Sequence, residues 1–316
     1  MSVQAWRLLS RRPEAVKLGL VSGESAVSRA VRAPAKVNLS LRVVGRRSDG
    51  YHELESLMVP VAIYDDVHVE VRPSVNIEVC CTVSGDQGVP GGAANIAARA
   101  AQAVLEHLDE TAAVSIRLVK RIPSQAGLGG GSSDAAAVLR VLPGLLGRKL
   151  AAPTVARLAL ELGADVPFFV SSRPAMARGV GERLSFIDLP YRGSLLVVVP
   201  PLGVDTAWAF SNAVKSLTSR GAGTRLLRSL KRGAALEGLL VNDLQEGVCD
   251  SFPEVSRSVD LLMAVGASAA VMSGSGSAVV GLFRDGRAAR RAACTFARPV
   301  RVFVTRILRR SPGGRP

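Results

Sequence analysis

A glycine-rich stretch at residues 123–137, with the sequence PSQAGLGGGSSDAAA, carries the strongest chemical signal in the chain. Its glycines let the backbone curl and approach a ligand closely, because glycine lacks a Cβ atom. The preceding segment Ala112–Lys120 alternates like a strand, and a helix is predicted over Ala135–Leu146 with residues 132–134 (Ser-Ser-Asp) as its N-caps. A glycine loop between strand and helix directs free N–H groups and the helix dipole at an anion, so the stretch predicts a phosphate site.

Two common phosphate loops do not fit this stretch. A Walker A loop ends in Gly-Lys-Ser/Thr, whereas this loop has Gly131-Ser132-Ser133 and no lysine. A dinucleotide fingerprint that begins at Gly127 needs glycine at position 132, where serine stands. A plain Gly/Ser linker is disfavoured because the loop runs directly into a helical segment.

The elements around the loop predict an α+β chain in two blocks. The first block is rich in strands and also contains a helix at Asn95–Leu108, and the second begins after a seam at residues 185–193. We expect a disordered or extension tail at 1–28, an N-terminal domain at 29–187 and a C-terminal domain at 188–310. The strands expected in the first block, besides Ala112–Lys120, are Val31–Val44, Leu57–Ile63, Val67–Val71 and Val75–Val83, and those in the second include Ser194–Val199 and Val300–Ile307.

Composition narrows the class of protein. Hydrophobic residues make up 48% of the 316 residues and aromatic residues only 4%, which predicts a core of Ala, Val and Leu. No apolar run reaches the length of a membrane helix. The four cysteines include no Cys-x-x-Cys pair, so neither zinc nor a disulfide framework is indicated, and a reducing cytoplasm fits.

The net charge of +14 permits nucleic-acid binding. Its distribution argues against it, since the arginines are scattered and the aromatic residues are too few for base-stacking platforms. A basic surface that attracts anionic small molecules is the favoured interpretation.

Four further stretches accompany the glycine loop. They are APAKVNL at 33–39, DGYHE at 49–53, GADVPFF at 163–169 and SGSGS at 273–277. Together and in this order they resemble the GHMP small-molecule kinases, and within them the kinases of 4-diphosphocytidyl-2-C-methyl-D-erythritol, over about residues 31–308. The resemblance implies a ribosomal-S5-like N-terminal domain and a ferredoxin-like C-terminal domain. It also implies ATP-dependent phosphorylation of the substrate's 2-hydroxyl, in the non-mevalonate route to isoprenoid precursors.

The same resemblance implies the catalytic pair. Lys36 would supply the cation that the glycine loop lacks, and Asp165 would accept the proton of the alcohol. Asp165 stands in an apolar stretch, where a buried carboxylate calls for a cationic partner, although it could merely cap a turn. ATP would bind at Pro123, Gly127, Leu128, Gly129, Gly130, Gly131, Ser132 and Ser133, with Asn95 approaching the adenine. Mg²⁺ would accompany it, with Ser133 as the candidate ligand and Asp134 as an alternative.

Substrate choice is assigned to a second group of residues by resemblance. Tyr51 would stack on the cytosine ring, His52 would hydrogen-bond its edge, and Phe210 would cover the other face. Asn38 would contact the substrate side, as would the serine-glycine stretch at Ser273, Gly274 and Ser275. For Phe210 ordinary core packing is the alternative, for Asn95 a helix cap, and for the serine-glycine stretch a tight turn.

Two alternative functions remain at this point. A GHMP kinase for homoserine or mevalonate is disfavoured by DGYHE, since those alcohols carry no base to stack. A basic nucleic-acid-binding protein is the remote alternative. The expected partner is a small molecule, with no nucleic acid and no membrane, and the expected assembly is a monomer or homodimer.

Overall fold

Two long antiparallel strands form the centre of the structure, which is a computed structural model that describes residues 26–85, 88–212, 217–218 and 221–309. Strand β1 spans Val27–Arg46 and β2 spans His52–Pro73. The segments expected as separate strands at 57–63 and 67–71 are therefore one strand. Pairing with β1 continues between the two segments, with a shift of register between Pro34 and Ala35.

The first sheet contains seven strands in the described part of the chain. Strand order is β3-β4-β2-β1-β8, and β5 and β6 extend it from the other end of β2. The strand pairs β3–β4 and β1–β8 are parallel, and the other pairs are antiparallel. Their bounds are β3 (Glu78–Ser84), β4 (Ala112–Val119), β5 (Ala175–Gly179), β6 (Arg183–Phe186) and β8 (Val241–Asn242). Because β8 comes from the second block of the sequence, that block contributes directly to the first sheet.

Helices α1 (Ile96–Leu108), α2 (Gly130–Leu145), α3 (Ala152–Leu162) and α4 (Val166–Ser171) pack in one hydrophobic cluster with this sheet. The buried face of α2 is rich in alanine, which lets it approach its neighbours closely. Helix α2 begins five residues earlier than expected. Its N-cap is Gly129 in the left-handed conformation, so the prediction that residues 132–134 cap the helix is wrong: they are its third to fifth residues.

A second, antiparallel sheet of four strands, ordered β11-β7-β10-β9, belongs to the C-terminal half. The strands are β7 (Ser194–Val199), β9 (Ala269–Met272), β10 (Val279–Phe283) and β11 (Arg301–Thr305). The helices of this half are α5 (Thr206–Asn212), α6 (Ala222–Lys231), α7 (Gln245–Ser251), α8 (Pro253–Ala264) and α9 (Gly286–Ala293). The α+β class is confirmed, and β7 has the predicted bounds.

Some predicted segments fall at the limits of the described chain. Residues 1–25 of the expected tail lie outside the described residues, whereas Val27 and Ser28 already belong to β1. No helix among the described residues is long and apolar enough to cross a membrane.

Candidate active site

The glycine loop connects β4 to α2, and its backbone needs glycine at two positions. Gly127 and Gly129 have φ angles of +71° and +69°, which side chains other than glycine rarely adopt. A Cβ atom on Gly127 would overlap the carbonyl oxygen of Ser273, and one on Gly129 would lie 2.8 Å from the Phe169 ring. The loop is therefore packed closely on both sides and presents backbone rather than side chains.

A cleft of about 550 Å³ opens at the N-terminus of α2. The first N–H groups of a helix have no partner within the helix and carry the positive end of its dipole, so this end of the cleft suits an anion. Thirteen of the predicted site residues line it: Lys36, Asn38, Pro123, Gly127, Leu128, Gly129, Gly130, Gly131, Ser132, Asp165, Phe210, Gly274 and Ser275. The other predicted residues lie outside the lining: Tyr51, His52, Asn95, Ser133 and Ser273.

Lys36 and Asp165 meet beside the glycine loop. Lys36 Nζ lies 3.6 Å from Asp165 Oδ2, and the lysine side chain is 6% exposed while the aspartate is 34% exposed. Asp165 occupies the N-cap position of α4, yet its carboxylate caps nothing there. The backbone N–H of Lys36 donates to Leu128 O at 3.0 Å, so the strand that carries the lysine is attached directly to the loop.

Asn38 fixes the direction of the Lys36 ammonium. Its Oδ1 accepts a 2.6 Å hydrogen bond from Lys36 Nζ, and its Nδ2 donates to Ser56 Oγ at 2.7 Å. Ser56 Oγ in turn donates to the Ser40 carbonyl at 2.7 Å. The sequence did not single out Ser56, because an isolated serine in an apolar strand carries no signal of its own.

The serine-glycine stretch at 273–277 lies against β1 and the glycine loop. Ser273 Oγ accepts from the Asn38 backbone N–H at 3.1 Å and lies 3.3 Å from Gly127 O, to which it donates. Ser275 Oγ is 3.1 Å from Thr206 Oγ1. Gly274 and Ser275 therefore line the cleft. Ser273 lies behind them and links this stretch to β1 and to the glycine loop by hydrogen bonds.

A buried ionic cluster that the sequence did not reveal lies behind the loop. Lys120, the residue after β4, forms ion pairs with Asp65 and with Asp134, the latter at 2.5 Å. Asp65 Oδ1 also accepts the backbone N–H groups of Arg121 and Ile122, at 2.6 and 2.9 Å. Asp65 lies within β2 and Lys120 follows β4, so only the long-range pairing of these two strands brings the charges together.

Burial and the neighbouring charges shift the pKa values of Asp134 and Lys120 in this cluster. Burial raises the pKa of Asp134 from 3.8 to about 7, with the Lys120 ammonium opposing the shift and Asp65 adding to it. Burial lowers the pKa of Lys120, but the two carboxylates outweigh it and raise the pKa overall. Among the buried polar atoms of the described residues, Asp134 Oδ1 and Ser133 Oγ have no hydrogen-bond partner.

The aromatic residues assigned to the base lie near the connection between β1 and β2. The His52 ring stacks on Phe210, with centroids 5.5 Å apart and an interplanar angle of 24°. Burial and the nearby Arg46 lower the pKa of His52, which favours a neutral ring. Tyr51 is 64% exposed, and its backbone N–H donates to Asp49 Oδ1 at 3.1 Å. Phe210 therefore packs on His52 while also lining the cleft.

Asn95 acts as the N-cap of α1. Its Oδ1 accepts from the Ala97 N–H at 2.9 Å, and its Nδ2 donates to Pro90 O at 2.7 Å. Both polar ends of the amide are engaged within the chain, and the contact of Asn95 with adenine stays a prediction.

Comparison with known proteins agrees with the fold. The family model for the N-terminal domain of GHMP kinases matches residues 86–173, and the model for their C-terminal domain matches residues 220–301. A crystal structure of homoserine kinase from Cytophaga hutchinsonii shares the fold, with a TM-score of 0.70 and 19% identity over 93% of this chain and 98% of that one. The two family models together cover more than half of the chain, which therefore belongs to the GHMP kinases.

Closer relatives narrow the family. The 4-diphosphocytidyl-2-C-methyl-D-erythritol kinase of Citrifermentans bemidjiense is 43% identical over 84% of this chain and 93% of its own length. That of Anaeromyxobacter sp. strain K is 45% identical over 89% and 91%. A crystal structure of 4-(cytidine 5'-diphospho)-2C-methyl-D-erythritol kinase matches with a TM-score of 0.74 and 39% identity, over 90% of this chain and all of that one. The chain belongs to the 4-diphosphocytidyl-2-C-methyl-D-erythritol kinase family, which confirms the resemblance found in its sequence.

Proposed function

We propose that this protein transfers the γ-phosphoryl group of ATP to the 2-hydroxyl of 4-diphosphocytidyl-2-C-methyl-D-erythritol, giving the 2-phosphate and ADP. The observation that carries the proposal is the Lys36–Asp165 pair, held at 3.6 Å beside a glycine loop at the N-terminus of α2. Relatives at 40–45% identity bear the name of this kinase, which supports the choice of substrate.

The Lys36–Asp165 pair would serve the acceptor alcohol. Phosphoryl transfer proceeds through a loose, metaphosphate-like transition state, so an enzyme contributes chiefly positioning and charge stabilisation. Asp165 Oδ would accept the hydroxyl proton as the oxygen bonds to phosphorus. The Lys36 ammonium, directed by Asn38, would stabilise the charge that develops between the acceptor oxygen and the phosphoryl oxygens.

The glycine loop would hold the triphosphate of ATP, the phosphoryl donor that GHMP kinases use. The N–H groups of Gly130, Gly131 and Ser132 lie in the first turn of α2, where such groups lack helical partners. Pro123, Gly127, Leu128 and Gly129 line the same cleft. Backbone donors supply directional hydrogen bonds, and a cation from β1 takes the place of the lysine in a Walker A loop.

Mg²⁺ would accompany the nucleotide, and the residues present fit it as a nucleotide-bound ion. Within the described part of the chain no group of three or more His, Cys, Asp or Glu side chains is arranged to hold a metal. Mg²⁺ typically takes one or two protein oxygens and otherwise uses phosphates and water. Ser133 Oγ and Asp134 Oδ1 are the two candidate oxygens: they are buried without hydrogen-bond partners and lie just behind the cleft lining, so the ion would have to reach them past Gly131 and Ser132. When bound, the ion would neutralise charge on the phosphates.

The cytidine group would bind at the entrance formed by Tyr51, His52 and Phe210. The exposed ring of Tyr51 is free to stack on a base, and the neutral ring of His52 offers one donor and one acceptor nitrogen. Because His52 and Phe210 stack at 5.5 Å, the base would have to slide beside or between these rings. The adenine of ATP would lie on the opposite side of the loop, near Asn95.

The proposal is tested by ADP release from purified protein supplied with ATP, Mg²⁺ and single alcohols. We expect turnover with 4-diphosphocytidyl-2-C-methyl-D-erythritol to exceed that with homoserine or mevalonate by at least a hundredfold, and CDP to compete with the alcohol. ADP release that is equal with and without the cytidine-bearing alcohol would refute the proposal.

We also propose a cytoplasmic protein whose partners are small molecules, without nucleic acid, acting as a monomer or homodimer. Cys80, Cys81, Cys249 and Cys294 are all free thiols, which suits a reducing compartment. Gel filtration tests the oligomeric state. A binding assay with nucleic acid at physiological salt tests the expectation that the protein binds none.

A further inference from the structure

We propose that Asn242 is a positioning residue for the Lys36–Asp165 pair and acts through the serine-glycine stretch at 273–277. The inference rests on the proposed function and concerns a residue outside every motif in the sequence. Asn242 ends β8, the short strand that the C-terminal half adds to the first sheet. There β8 pairs with β1 at Ser40 and Leu41, a few residues beyond Lys36 and Asn38.

The side-chain amide of Asn242 is used at both ends. Nδ2 donates to the carbonyl oxygens of Met272 and Gly274, each at 2.8 Å, and Oδ1 accepts from the Leu244 N–H at 2.9 Å. The residue is 8% exposed, so these bonds do not compete freely with water. An amide alone among side chains of this size offers two donors and an acceptor, so the three bonds define both the residue type and its orientation.

The stretch that Asn242 holds packs directly on the proposed catalytic lysine. A Cβ atom added to Gly274 would lie 3.4 Å from Lys36 Nζ and 3.3 Å from Asn38 Oδ1. Ser273 Oγ bonds to the Asn38 N–H and to Gly127 O. The backbone at 273–274 therefore forms one wall of the space in which the ammonium lies.

These contacts form a closed circuit. Strand β1 carries Lys36 and pairs with β8. From β8, the side chain of Asn242 donates to the backbone at 273–274, and that backbone packs against Lys36 and Asn38. Removing the Nδ2 donor leaves two buried carbonyls without this partner, which favours a displaced stretch. Displacement opens space beside the ammonium, so Lys36 loses its fixed direction towards Asp165, whereas the N–H groups at the start of α2 are held in place by the helix itself.

The test compares Asn242→Asp, which keeps the size and the acceptor but loses the donors, with Asn242→Ala. We expect kcat to fall at least tenfold in both while the KM for ATP stays within threefold. Val114→Ala is the matched control, because Val114 is buried on β4 in a hydrophobic cluster separate from the one that contains Leu244 and Met272, so its truncation lowers stability without touching the contacts of Asn242. A kcat within twofold of wild type, or an equal loss of kcat in the control at equal Tm, would overturn the proposal.

Two further comparisons sharpen the test, and the first of them keeps it decisive if the Asn242 variants fold poorly. Gln245→Ala removes a second hydrogen bond to the backbone beside this stretch, since Gln245 Oε1 accepts from the Met272 N–H at 2.8 Å. It should also lower kcat, by a smaller factor than the Asn242 variants. Asn242→Ala combined with Ser273→Ala should lose less than the product of the two single losses, because both act through one stretch. Independent, multiplicative losses contradict the proposal.

The failure of this inference is separable from failure of the proposed function. The kinetics are measured with whichever alcohol the wild-type protein phosphorylates fastest in the ADP-release screen. If that alcohol is not the cytidine-bearing one, the proposed substrate is wrong, and the Asn242 comparison still reports on the lysine.

Discussion

Lys36 Nζ lies 3.6 Å from Asp165 Oδ2 and donates a hydrogen bond of 2.6 Å to the side-chain oxygen of Asn38. The ammonium is thus oriented by a neutral partner and faces the carboxylate across a gap wider than a hydrogen bond. Because Asp165 is 34% exposed and Lys36 only 6%, the carboxylate forms the accessible side of the pair. An acceptor hydroxyl that enters the cleft would meet Asp165 first, with the cation behind it.

Replacing Asp165 by asparagine should remove the proton acceptor without changing the size of the side chain. We expect Asp165→Asn to lower kcat by about two to four orders of magnitude, the range typical of a general base. The dissociation constant of an ATP analogue, measured by calorimetry, should change less than threefold, since the carboxylate is not part of the glycine loop. Asp188→Asn, at an exposed position, serves as the control and should leave kcat unchanged. Near-normal turnover in Asp165→Asn would exclude the assigned role.

Replacing Lys36 tests whether its charge or its packing matters. Lys36→Met keeps the aliphatic stem and removes the cation, and we expect kcat to fall by roughly 100- to 1000-fold, as for the loss of one electrostatic donor in other enzymes. Lys36→Arg retains the charge, but the planar guanidinium does not match the single bond to Asn38, so recovery should be incomplete. Equal activity of Lys36→Met and wild type, in fixed-time assays of ADP release, would show that the cation is dispensable.

Phe210 gives a test of base recognition that is separate from chemistry. Stacking of a base on an aromatic ring contributes about 1–3 kcal/mol, so Phe210→Ala should raise the KM for the cytidine-bearing alcohol roughly 5- to 150-fold with a smaller change in kcat. Phe186→Ala is the control, because Phe186 is an exposed aromatic residue on β6. If the KM is unchanged, Phe210 serves only to pack on His52, with which it stacks.

The sequence predicts those features of the structure that are marked by residues close together in the chain. The glycine loop, the strand before it and the alanine-rich helix after it are marked by neighbouring residues, and the structure has all three. The start of α2 was misplaced because serine and aspartate are common N-caps, whereas here the turn at Gly129 lets the helix begin earlier. Thirteen of the predicted site residues line one cleft, since their motifs each carry several residues in a fixed spacing.

Long-range pairing explains what the sequence did not reveal. Asp65 and Lys120 are 55 positions apart and meet only because β2 pairs with β4, so neither residue stands out within its own segment. Asn242 lies in a two-residue strand that no periodicity could mark. The helix α4 was also missed, because four of its six residues belong to the GADVPFF motif and were interpreted as part of it rather than as an element.

The buried carboxylate of Asp134 should make stability depend on pH. Its pKa is raised from 3.8 to about 7, chiefly by burial, so the folded state binds this proton more tightly than the unfolded state. The stability that Asp134 contributes is therefore greatest below about pH 4 and is lost as the pH rises through about 7. Relative to Asp134→Asn, the wild-type protein should lose on the order of a few kcal/mol of unfolding free energy across this window, at 1.36 kcal/mol per pKa unit.

Urea unfolding of both proteins at several values between pH 4.5 and 8 measures this difference. Asp49→Asn provides a control without a trend: Arg47 lowers the pKa of Asp49 from 3.8, so any stability it contributes is lost only below about pH 4, and its difference from wild type should stay constant over this range. A difference between wild type and Asp134→Asn that stays constant over the range would mean that Asp134 keeps its charge throughout. In that case Lys120, at 2.5 Å, outweighs the cost of burying the carboxylate, and the cluster carries a net negative charge at neutral pH that bound Mg²⁺ would have to balance.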